Sequence, residues 1–178
     1  LKLFPKPRRH DTAFIAVPHP QAAIDLLALA RDKSGDRTVA FELLPQIALD
    51  FATKHAGARS PLATPSPWYV LTELADAPDG VFEQVLETAV ERGLATDAVI
   101  AQSDAQREAI WTIRESVSDS QKPEGDSIKN DISVPVSLVP QFIADATAGV
   151  LGSVPGARIV CFGHLGDGNM HFNISQPI

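Results

Sequence analysis

Cysteine is almost absent: Cys161 stands alone among 178 residues. A single thiol closes no internal disulfide, so a packed core must hold the fold, and a reducing compartment, the cytoplasm, is the expected location. Long apolar runs are missing too. No stretch approaches the roughly 18 residues of a membrane span, and no charged, apolar and small-residue leader opens the chain. Positive charge is scarce, with 15 Lys and Arg against 22 Asp and Glu and a formal net charge of −7. That balance argues against nucleic acid as a partner, because duplex binding needs a basic stripe to displace counterions. The one basic cluster, Lys2, Lys6, Arg8 and Arg9, is too short to serve as one. Glycine signatures for nucleotides are lacking as well, both the Gly-x-x-x-x-Gly-Lys loop and the Gly-x-Gly-x-x-Gly turn between strand and helix.

What is present fits one folded domain: 44% hydrophobic and 21% charged residues are ordinary for a globular chain. With Leu1 at its start, its sole methionine at Met170 and a strand-like segment at its end, the chain reads as part of a longer polypeptide. Strand-like segments at 14–17, 39–41, 69–74, 98–101, 128–134, 159–164 and 170–174 alternate with helical patterns. The first helix starts at Pro20 and stops at Gly35, and the second runs over 47–55. A third presents Val81, Phe82, Val85, Leu86, Ala89 and Val90 as its apolar face. Ser103 with Gln106 three residues on signs the start of a long helix reaching about Ser120. Ser137 is placed to cap the last one. The pattern predicts an α+β domain, an antiparallel sheet with helices packed on one face.

Three constellations could carry chemistry. Asp167-Gly168 between two strand-like runs predicts a hairpin with a two-residue turn. In that register His164 faces His171, with Asn173 on the same side and Met170, Phe172 and Ile174 turned to the core. Spacing alone leaves the histidines balanced between a metal-binding pair and surface residues around a turn. On the long helix Arg107, Trp111, Arg114 and Ser118 share a face, and Arg114 with Ser118 could hold a carboxylate or lie exposed. On the strand 128–134, Lys129 could hold a carboxylate, although pairing with Asp131 is the simpler reading. Cys161 lies in an apolar strand without a positive neighbour and reads as packing rather than a nucleophile.

The run Gly163-His-Leu-Gly-Asp-Gly-Asn-Met-His-Phe-Asn173 closely resembles the signature of the FAD-linked oxidase C-terminal domain, a family that includes D-lactate dehydrogenase, the glycolate oxidase flavin subunit and D-2-hydroxyglutarate dehydrogenase. Leu3-Phe-Pro-Lys-Pro, Phe41-Glu-Leu, Trp111-Thr-Ile-Arg-Glu-Ser and Lys129-Asn-Asp-Ile-Ser-Val-Pro135 resemble further family blocks, in order, so the likeness spans nearly the whole chain. It implies a ferredoxin-like substrate-binding (cap) domain of the vanillyl-alcohol-oxidase type occupying 1–178, with the FAD-binding domain on another part of the same polypeptide. It also implies oxidation of a D-2-hydroxy acid to the 2-oxo acid by hydride transfer to FAD. His164 and His171 would bind zinc, manganese or iron, Arg114, Ser118, Lys129 and Asn173 would hold the acid, and Gly166 and Asn169 would border the cofactor. The family's third metal ligand, a glutamate, and the histidine proposed as its base would fall after Ile178, so this segment alone is expected to be inactive. A homodimer and the electron acceptor stay open.

Two rival readings remain at this level. One is a flavin-independent hydrolase with a two-histidine metal and Asp167 as third ligand. The other is a non-catalytic binding or oligomerisation module whose histidines are incidental.

Overall fold

The computed structural model describes residues 6–177. Its first half is built on β1 (His10–Val17), α1 (Pro20–Ser34), β2 (Thr38–Pro45), α2 (Gln46–His55), β3 (Trp68–Ala75), α3 (Val81–Glu91) and β4 (Asp97–Ile100). The second half contains α4 (Asp104–Ser120), the short strands β5 (Ser127–Ile128) and β6 (Asp131–Ser133), α5 (Val139–Ser153), β7 (Arg158–His164) and β8 (Asn169–Ser175). All pairings are antiparallel, in the order β4-β1-β3-β2-β7-β8-β5, with β6 also on β8. Setting α2 aside, β1-α1-β2-β3-α3-β4 with its 4-1-3-2 strand order is the ferredoxin-like arrangement. The α+β expectation therefore holds.

Sequence punctuation fixes the helix ends. Pro20 sits in the first turn of α1, the His19 side chain accepts from the Ala22 amide, and Gly35 closes the helix at φ 64°. Ser103 caps α4 by accepting from the Gln106 amide. Ser137 does not cap α5. It lies in a 3-10 turn over Val136–Leu138, and the helix begins without a side-chain cap, with Pro140 in its first turn.

The expectation that helices cover only one face is corrected. α1, α3 and α5 pack over Ala13, Ile15, Val17, Leu43, Val70, Cys161, Met170 and Phe172. α2 and α4 pack over the opposite face, on Phe14, Ala16, Leu44, Tyr69, Leu71, Val160 and Phe162. The central strands are thus buried on both sides, which explains why β1 and β3 read as continuous apolar runs rather than as alternating ones.

The expected strand 128–134 is also divided. Asn130 breaks it, its amide nitrogen donating to the Phe172 carbonyl and its own carbonyl accepting the Phe172 N–H. β5 pairs with the end of β8 and β6 with its start.

Candidate active site

The side chains singled out by sequence gather where the α2/α4 face of the sheet reaches β7 and β8. The hairpin that carries both histidines differs from expectation. His164 pairs with Asn169, so the loop is the four residues 165–168, and Phe162 rather than His164 faces His171. The reason is conformational: a two-residue turn at 167–168 needs positive φ at both positions, but only Gly168 has it, at 79°. Asp167 instead accepts the Asn169 amide through Oδ1 at 3.0 Å. That bond commits Asp167 to the turn rather than to a metal. The two histidines still share a face as diagonal neighbours, with ring centroids 6.3 Å apart.

Each imidazole is held by a carboxylate on the neighbouring strand. Glu42 on β2 is directly opposite His164, and its Oε1 lies 2.6 Å from Nδ1. Asp131 on β6 is directly opposite His171, with Oδ1 2.5 Å from Nδ1. This arrangement orients both rings through Nδ1 and leaves each Nε2 without a hydrogen bond among the described residues. Asp131 therefore pairs with the histidine and not with Lys129.

Arg114 lies against the same carboxylate. Its Nε donates to Glu42 Oε2 at 2.7 Å, and its guanidinium carbon sits 4.8 Å from the centre of the Phe162 ring. The Arg114 side chain is 11% exposed and Glu42 4%, yet among the described residues only Nε is engaged. The two terminal nitrogens remain for an incoming anion, the bidentate geometry at which guanidinium excels. Lys129 reaches across to the Ser118 carbonyl at 3.0 Å, which brings those two residues together. Asn173 is buried and donates to Gln121 Oε1 at 3.2 Å. Gly166 lies on the other side of His164, its N–H donating to the Phe41 carbonyl and its own carbonyl accepting from Arg31. Gly166, Glu42 and His164 help line a cleft of about 230 Å³ there, and Asn169 is exposed at its edge of the turn.

Sequence reasoning missed the acidic partners. Glu42 and Glu73 are buried carboxylates in apolar strands, and that mismatch was the signal for both. Glu73 accepts from Arg107, Trp111 and Thr12. Burial alone would raise its carboxyl, but the hydrogen bonds from Arg107, Thr12 and Trp111 outweigh it and hold the group below the usual range. Residues 107, 111 and 114 thus pin α4 to two strands. Cys161 is core, as expected, with its thiol pushed up to about 12 by burial. No trio of His, Cys, Asp or Glu able to hold a metal occurs among the described residues.

The antiparallel α+β domain thus brings Arg114 beside a carboxylate-fixed histidine pair, with Lys129 held against Ser118. Residues 6–178 match the model of the FAD linked oxidases, C-terminal domain, and the chain belongs to that family. The match begins past Leu3, and residues 3–5 of the Leu3-to-Pro7 block lie outside the described residues. D-2-hydroxyglutarate dehydrogenase of Xanthomonas citri pv. viticola is 34% identical over 180 residues, covering 99% of this chain and 37% of that protein. The mitochondrial D-2-hydroxyglutarate dehydrogenase of Arabidopsis thaliana is 34% identical over 176 residues, covering 96% of this chain and 31% of its own length. The chain thus spans about a third of these relatives. Among solved structures, p-cresol methylhydroxylase with substrate bound superposes with a TM-score of 0.61 at 10% identity, over 98% of this chain and 40% of that one. That likeness shows the fold.

Proposed function

We propose that this domain binds the substrate of an FAD-dependent dehydrogenase that oxidises a D-2-hydroxy acid to the 2-oxo acid. The carrying observation is the Arg114 guanidinium, fixed through Nε on buried Glu42, its terminal nitrogens unengaged among the described residues, beside the two histidines. The names of the relatives and the family membership support the same chemistry. Arg114 and Lys129 attract and orient the acid's carboxylate within a chain that is otherwise net negative, Ser118 adds a hydroxyl, and Asn173 borders the site. Gly166 and Asn169, at the hairpin turn next to His164, would border the cofactor. FAD, held by another domain of the same polypeptide, supplies hydride acceptance when bound.

A divalent metal, zinc, manganese or iron, fits the histidine pair. With metal–nitrogen bonds of about 2.0–2.1 Å and ligand angles of about 90–120°, rings sharing one ion have centroids about 4.5–5.5 Å apart, so the pair at 6.3 Å would close by about 1 Å through side-chain rotation. The carboxylate on each Nδ1 is the usual outer partner of a metal-bound imidazole. His164 and His171 would hold the ion through Nε2, with a further ligand from outside residues 1–178. When bound, it lowers the pKa of the substrate hydroxyl. The single, buried Cys161 favours a cytoplasmic setting; among the described residues no helix is long and apolar enough to cross a membrane.

His171→Ala in the full-length enzyme tests this reading. Metal content and turnover of the hydroxy acid are expected to fall together, by at least about tenfold. Full metal occupancy with full activity would refute the assignment.

A further inference from the structure

Glu42 joins the two halves of the site. One buried carboxylate accepts from Arg114 Nε on Oε2 at 2.7 Å and sits 2.6 Å from His164 Nδ1 on Oε1. It is directly opposite His164 in the β2–β7 pairing, so the contact is set by strand register and not by a flexible loop. Its side chain is 4% exposed, too buried for water to replace either partner. A carboxylate is an acceptor on both oxygens. Neutral His164 must therefore place its proton on Nδ1, which leaves the Nε2 lone pair facing outward.

We infer that Glu42 is a positioning residue that sets the tautomer of His164 and the orientation of Arg114 at once, so that the metal-side and carboxylate-side halves of the site are aligned by one group. This inference rests on the proposed function for its catalytic consequence, but its structural content does not. Asp131 gives no equivalent coupling. It is 77% exposed on its side chain and has His171 as its sole ion-pair partner among the described residues.

The amide Glu42→Gln discriminates this role from packing, because it preserves shape. Arg114 Nε can only donate, so the amide oxygen must stay with arginine and the amide NH₂ must face His164. A donor there requires Nδ1 to accept, and the ring proton moves to Nε2. The lone pair that would bind a metal is then lost from the outward side, while the fold is kept.

Selective ¹⁵N-histidine labelling of the full-length, chelator-treated protein reads the tautomer directly, without metal or turnover. The wild type is expected to give a protonated Nδ1 and an unprotonated Nε2 at His164, and Glu42→Gln the reverse. Glu73→Gln is the control: it loosens the neighbouring clamp on α4 and leaves the His164 tautomer unchanged. In titrations with zinc(II) alone, Glu42→Gln is expected to weaken binding by about 10- to 100-fold, and Glu42→Asp to recover part of that loss. In turnover, Glu42→Gln raises KM as well as lowering kcat, because arginine and histidine are disturbed together. An unchanged His164 tautomer in Glu42→Gln, or equal effects from Glu73→Gln, would overturn the inference. If the tautomer switches but no hydroxy acid is turned over by the wild type, the proposed function fails and the positioning role stands.

Discussion

Individual ionisable side chains tie elements together over the packed core and orient the candidate site. Glu124, just after α4, is the clearest structural case. His55, Lys54 and Arg158 hydrogen-bond its carboxylate and lower it to about 2. The carboxyl titrates lower in the folded chain than in the unfolded one, so the unfolded state takes up protons first. Its contribution is complete above the unfolded value of about 4.3 and is lost as pH falls toward 2. Equilibrium denaturation from pH 6 down to 2 is expected to fall more steeply for the wild type than for Glu124→Gln over that window. Parallel curves would show that the cluster adds nothing. Glu124 was invisible in the sequence because its partners come from α2 and β7, which only the folded chain brings to the turn after α4.

Among the elements, the 163–173 hairpin decides the site. Its existence was legible, because strand-like runs flank Asp167-Gly168 and alternation assigns Met170 and Phe172 to the core. Its register was not, since a dipeptide that can make a two-residue turn does so only if both residues take positive φ, and Asp167 does not. The long helix α4 was legible to both ends from its cap and its apolar stripe Ile110, Ile113 and Val117. Its polar stripe pointed the right way, but no spacing rule reveals that Arg107 and Arg114 would find Glu73 and Glu42 on two different strands. Gly168 also fixes β6. At φ 79° it packs so closely under the Val134 carbonyl that a methyl group would collide with it, and its own carbonyl accepts the Val134 N–H. Gly168→Ala is expected to cost about 1–3 kcal/mol, from the strained backbone and the displaced neighbour, and to pull Asp131 away from His171. A denaturant midpoint unchanged from wild type would contradict this.

At the scale of the whole molecule, a ferredoxin-like unit has been extended by β7 and β8 and roofed on its second face by α2 and α4. The extension carries the histidines and the roof carries the arginine, so the candidate site lies where the two meet. Sequence alternation supported an antiparallel α+β fold but placed the helices on one face, because strands buried on both sides lose the period that would have announced a second layer. Family membership accounts for the fold and for the order of the motifs.

The most direct measurement is an anaerobic titration of the full-length flavoprotein with D- and L-2-hydroxy acids, following the visible absorbance of oxidised flavin. Bleaching by a D-2-hydroxy acid, and not by its L-enantiomer, is the predicted result. A protein shown to hold FAD that no 2-hydroxy acid bleaches would contradict the substrate role given to Arg114 and Lys129.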